Sequence, residues 1–147
     1  VKEAAVDINT VIRLVEGGAD KLAQRWVERL RHEEGMVDYL RVPEDELRGH
    51  IHRAYEEIGT YLDQPRHPAM AEYFQEIGRK RRAEHIRLTE VLRAIQLARA
   101  VLWQHVVEQG GFDSTVNLYQ ALNLYRQVVN FFDAGQLFAT EGYLEKE

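Results

Sequence analysis

Six histidines in a chain of 147 residues are the first candidates for chemistry, because imidazoles paired on one helix face with carboxylates can hold iron or zinc. A di-iron bundle needs Glu-x-x-His repeats, since residues three apart face inward together. The residues three before His32, His50, His52, His67, His85 and His105 are Arg29, Leu47, Gly49, Gln64, Arg82 and Leu102, and none is a carboxylate. No His-x-x-x-His pair occurs, and His50 and His52 would diverge on a helix. The expectation is surface histidines, no metal site and no cofactor. Nucleophilic catalysis has no visible motif either: there is no cysteine and no Gly-x-Ser-x-Gly, and the single serine, Ser114, stands where a helix cap belongs. Gly110-Gly111 lacks the preceding strand and following lysine of a phosphate cradle, and adjacent Glu56 and Glu57 diverge on a helix rather than flanking one substrate bond. We expect no enzyme and no catalytic residue.

Two features remain. The run Arg79-Lys80-Arg81-Arg82 could bind phosphate or an acidic partner, but it reads as plain surface at a bend between helices, with Arg82 or Arg87 able to pair with acidic helix faces. The aromatic residues Trp26, Tyr55, Phe74, Trp103 and Tyr125, with Tyr73, Phe131 and Phe132, could line an apolar pocket. Core packing has the same signature, and sequence alone does not separate the two.

The elements that must position these residues are helices throughout. Apolar spacing is helical almost everywhere, so the class is all-α. Ile8, Val11, Ile12 and Val15 form a short first stripe ended by Gly17-Gly18; a second helix runs from about Asp20 to Glu33 on Leu22, Trp26 and Leu30. Pro43 opens a third, carrying Leu47, Ile51, Tyr55, Ile58 and Leu62 and ended by Pro65 and Pro68. Met70, Tyr73, Phe74 and Ile77 mark a fourth, stopped or kinked near Gly78. Two longer helices follow, from about Leu88 to Gln109 and from about Ser114 to Thr140, separated by Gly110-Gly111 and capped by Asp113 or Ser114. On the first, Leu88, Val91, Leu92, Ile95, Ala98, Leu102 and Val106 take the core face, leaving Ala94, Leu97 and Val101 as a second flank. On the last, Leu118, Leu122, Tyr125, Val129 and Phe132 take the core face, while Leu124, Phe131 and Phe138 repeat every seven residues with Ala121, Val128 and Gly135 between them. One core cannot use both faces, so Ala94, Leu97, Val101, Leu124, Val128, Phe131, Gly135 and Phe138 are the expected homodimer interface. The last helix is expected to run on past Thr140 as a mechanical link.

Composition supports one domain spanning residues 1–147: 45% of residues are hydrophobic, 29% are charged, and no window approaches a membrane span or a signal-peptide core. A net charge of -5 argues against general nucleic-acid binding, and the absence of cysteine against a disulfide framework. A cytoplasmic protein without nucleic-acid or membrane partners is expected. The first residue is not methionine, which suggests part of a longer protein, with a C-terminal output domain expected beyond Glu147.

From Tyr73 to Val106 the chain resembles the N-terminal sensory domain of RsbR-type stressosome proteins, the RsbT co-antagonist N-terminal domain. The resemblance rests on Ile77-Gly78, Arg81-Arg82-Ala83-Glu84, Leu88, and Val91-Leu92-Arg93-Ala94 leading to Leu102-Trp103. It implies a globin-like fold without haem, pairing through the two long C-terminal helices as a dimeric four-helix bundle, and a sensory role ahead of an output module. The same stretch resembles haem-binding globin-coupled sensors, whose Ile-Gly-x-x-His motif supplies the iron ligand. Counting from Ile77-Gly78 puts Arg81 there, and counting back from Leu88 puts Ala83 there. His85 stands two residues from Ala83, roughly 200° around the helix. The leading expectation is therefore a haem-free sensory domain. The alternative is a globin-like sensor or carrier enclosing haem or an apolar ligand.

Overall fold

In the computed structural model, which describes residues 8–109 and 115–145, every element is helical: α1 Ile8–Gly17, α2 Ala19–His32, a 3-10 turn Tyr39–Arg41, α3 Glu44–Tyr61, α4 Pro68–Ala83, α5 Leu88–Gln109 and α6 Thr115–Tyr143. The starts and stops follow local chemistry. Gly18 separates α1 from α2, and Pro43 precedes α3, whose first turn carries Glu44, Asp45 and Glu46 against the positive helix end. Pro68 begins α4 instead of closing what precedes it: proline has no N–H to waste at a first helical position, and the His67 side chain caps the helix by accepting from the Ala69 N–H at 3.1 Å. The expected Gly110-Gly111 junction and the Asp113 or Ser114 cap lie outside the described residues.

Helix α4 runs through Gly78 without stopping, contrary to the sequence expectation, and ends at Ala83. His85 supplies the stop. It adopts φ +61°, while the Ile86 N–H reaches the Arg81 carbonyl at 3.0 Å and the His85 N–H reaches Arg82 at 3.0 Å, a Schellman closure of the helix end. Gly78 is instead where α4 crosses α6. A Cβ there would sit 2.7 Å from the Tyr143 nitrogen and closer still to the Ala139 carbonyl, and a Cβ on Gly142 would strike the Gln75 carbonyl in return. The small residues of α6 thus serve close approach of two backbones, and the partner helix is α4 of the same chain.

Helix α5 buries both of its apolar flanks, because it is packed by α2, α1, α6 and α4, and leaves a stripe through Thr89, Arg93, Ala100 and Gln104 exposed. Both of its apolar flanks are therefore used within one chain, which corrects the expectation that one core could take only one. Two side chains tie it in place. The Trp26 indole N–H donates to the Ala94 carbonyl at 2.9 Å and the Tyr55 hydroxyl to the Ala98 carbonyl at 2.8 Å. Carbonyls inside a helix keep a second lone pair for such bonds, and alanine leaves them accessible. Between the 3-10 turn and α5, the Glu90 carboxylate, 2% exposed, accepts from the Asp38 and Tyr39 N–H groups at 2.9 and 3.2 Å and from Arg87 at 2.7 Å. Asp38 in turn accepts from the Arg87 N–H and Nε, which holds its carboxyl down at about 2.

Candidate functional site

Between α3, α4, α5 and α6 lies an apolar cavity of about 60 Å³. Its walls come from Tyr55 and Ile58 of α3, Met70 and Phe74 of α4, Ala98 of α5 and Phe131 of α6, among others. Phe74 meets Phe131 edge-on, with ring centroids 6.1 Å apart, and Phe131 meets Phe132 at 5.3 Å. The Tyr55 hydroxyl is spent on α5, and burial alone pushes its pKa upward.

One end of the cavity is polar. Arg81, only 3% exposed, lines it together with His50 and Tyr39. The guanidinium carbon lies 5.4 Å from the centre of the Tyr39 ring, a cation held over an aromatic face. One terminal nitrogen donates to Glu84 at 2.7 Å and the other lies 3.5 Å from His50 Nδ1, while Nε is buried with no hydrogen-bond partner. A guanidinium only donates, so Nδ1 of His50 is the acceptor and the ring is neutral in this arrangement. Its basicity is lowered, first by burial and then by Lys80 and Arg81; Glu46 and Glu84 oppose that shift. Burial also pushes the Tyr39 hydroxyl up to about 12, against the pull of Arg81.

The rest of the basic run is equally engaged, so it is not the plain surface that the sequence suggested. Lys80 Nζ meets Glu46 at 2.6 Å on α3. Arg82 donates to the Tyr143 and Glu145 carbonyls at 2.8 and 3.0 Å, and Arg79 pairs with the Glu145 carboxylate at 2.7 Å. Arg82 thereby satisfies carbonyls at the end of α6, and with Arg79 it complements the helix's negative pole. A single stretch of α4 therefore holds the cation of the cavity and a clamp on the end of α6.

Of the aromatic residues expected to line a pocket, Trp26, Tyr55 and Phe74 do so. Trp103 and Tyr125 do not; they pack edge-on against each other across α5 and α6 at 4.8 Å, with Tyr125 exposed. The expected homodimer row is placed differently as well. Ala94, Leu97, Val101, Leu124, Val128 and Phe131 are buried within the single chain, Gly135 packs under the Phe74 ring, and Phe138 is half-buried against the core. The outward face of α6 is the other one: Leu118, Tyr119 and Leu122 are 51%, 77% and 61% exposed. His85 is exposed at the end of α4 and does not line the cavity. Sequence reasoning missed Arg81 as an inward residue, although counting from Ile77-Gly78 had singled out its position. Among the described residues, no cluster of three or more histidines or carboxylates could hold a metal ion, and no helix is long and apolar enough to cross a membrane.

The family model described as the RsbT co-antagonist protein rsbRD N-terminal domain matches residues 20–147. No curated protein and no solved structure matches the chain.

Proposed function

Because the chain belongs to the RsbT co-antagonist N-terminal domain family, a family of stressosome-type signalling domains, we propose that it senses a signal, pairs with a second copy through α6 and relays a conformational bias along that helix to an output module. The reading is non-catalytic: Arg81 donates to Glu84 and to His50, the Tyr55 hydroxyl donates to backbone, and among these described groups no nucleophile stands beside a base. The relay rests on the stretch Arg79–Arg82, which joins the cavity wall to the end of α6. A change at Arg81 would shift the α4 turn that Arg79 and Arg82 share, and these two residues bond groups at the end of α6.

The observation that carries the pairing is the exposed stripe Leu118, Leu122 and Tyr125, spaced four and three residues apart along one face of α6 with Tyr119 beside it. An apolar patch of this kind buries itself most simply on a two-fold axis against its own copy. Sedimentation velocity at micromolar concentration tests it. The wild-type chain is expected to sediment as a dimer and Leu122→Glu as a folded monomer with unchanged helix content. A wild-type monomer, or a dimer that survives Leu122→Glu combined with Tyr125→Glu, would overturn the pairing.

A further inference from the structure

We propose that the cavity between α3, α4, α5 and α6 binds a small monocarboxylate, its carboxylate on Arg81 and its short alkyl tail among Ile58, Phe74 and Phe131. The proposal deepens the sensory reading by naming the chemical class of the signal, and it rests on that reading only for its biological meaning.

Three observations converge on this ligand. First, the lining is apolar except at one end, and among the described residues Arg81 is the only permanently charged one in it and no carboxylate lines the cavity. Glu84 and Glu46 approach Arg81 at 2.7 and 3.9 Å, but both belong outside the cavity wall and are about one-third exposed. Secondly, Arg81 is 3% exposed, yet its Nε has no hydrogen-bond partner among the described residues. A buried donor left unpaired is costly, and a charge-assisted bond to an anion is the strongest way to satisfy it. An amide or alcohol could also accept from Nε, but it would leave the cationic pole without a counter-charge on the cavity side. Thirdly, size limits the tail. One water-sized group needs about 10–15 Å³ of such space, so the cavity of about 60 Å³ admits four to six groups. That is a carboxylate with a tail of about one to three carbons, such as acetate, propionate or butyrate, and it excludes long-chain fatty acids.

Isothermal titration calorimetry on the whole chain with sodium butyrate tests this, at constant ionic strength and with butyramide, octanoate and chloride as comparisons. Butyrate is expected to bind at least about tenfold more tightly than each of the three. Arg81→Met should weaken butyrate about tenfold or more, since it deletes the charge and the unpaired donor together. Ala54→Leu keeps the guanidinium and fills the space from α3, where Ala54 lines the cavity on a half-buried position. It too should weaken butyrate about tenfold or more, with circular dichroism confirming that both variants fold. Equal binding of butyrate and butyramide, a chloride affinity equal to that of butyrate, butyrate binding that survives both substitutions, or no binding at millimolar butyrate would each overturn the proposal. Because binding is read on the chain itself, such a failure leaves the pairing through α6, measured by sedimentation, standing.

Discussion

Replacing Gly78 by alanine separates two opposing physical effects and fixes the sign of the outcome. In the middle of a helix, alanine is favoured over glycine by about 0.8–1 kcal/mol, so propensity alone would stabilise α4. The crossing with α6 acts the other way. The new methyl would sit 2.7 Å from the Tyr143 nitrogen and nearer to the Ala139 carbonyl, whereas ordinary contact begins at 3.4 Å. Both obstacles are backbone atoms, so no side chain can swing aside, and α4 and α6 must separate by more than half an ångström along their most extensive contact. Overpacking of this kind costs typically 1–3 kcal/mol and more where relaxation is blocked, which puts this site at about 3 kcal/mol or above. Subtracting about 1 kcal/mol of propensity leaves a net destabilisation of about 2 kcal/mol, or roughly a 4–8 °C fall in Tm for a chain of this size. Gly49 of α3 is the control, since a Cβ there meets nothing within 4 Å; Gly49→Ala should raise stability by about 0.5–1 kcal/mol. Thermal and urea melts followed by circular dichroism measure both variants. If Gly78→Ala is as stable as Gly49→Ala, the close crossing of α4 and α6 is wrong.

Two further outcomes follow from the same geometry. Phe131→Asp should unfold the chain and not merely dissociate a dimer, because Phe131 is 3% exposed inside the core; losing the ring and burying a carboxylate costs at least about 4 kcal/mol, and a cooperative melt near the wild-type Tm would contradict that placement. His50 should make stability depend on pH. Its folded pKa lies below the ordinary value of 6.5, so its contribution is complete above pH 6.5 and is lost progressively as pH falls through the depressed folded value. Wild-type Tm should therefore drop more than that of His50→Gln between pH 7.5 and pH 5, and parallel curves for the two would remove His50 from the polar end of the cavity.

The helical class, the long pair α5 and α6 and the run of α6 past Thr140 were legible because each rests on local periodicity and breakers. Which face of α6 points inward was not. The row that packs against α4 and α5 is built from Ala121, Leu124, Val128, Phe131, Gly135, Ala139 and Gly142, and close crossing selects small residues that weaken its hydrophobic signal. Leu118, Leu122 and Tyr125 are bulkier and mimic a core face while standing exposed. On α5 the difficulty was different: a helix packed by neighbours on several sides shows two apolar flanks, and nothing in one sequence says that both partners belong to the same chain. Arg81 was hidden by its type, since arginine is rarely buried and its neighbours Arg79, Lys80 and Arg82 make the whole stretch look solvated. The signal that could have found it was its place, one turn after Ile77-Gly78 on a helix whose other inward positions are Met70 and Phe74.

In the proposed relay the cavity and the end of α6 are coupled through one turn of α4, and amide hydrogen exchange in Arg81→Met measures that coupling directly. Removing the guanidinium frees Glu84 and loosens the turn that carries Arg79, which pairs with the Glu145 carboxylate, and Arg82, which holds the Tyr143 and Glu145 carbonyls. The expected result is exchange about tenfold faster from Gly142 to Glu145 with α2 unchanged, since local openings respond to the contacts that close them. Unaltered protection at the end of α6 in a folded Arg81→Met chain would contradict the coupling.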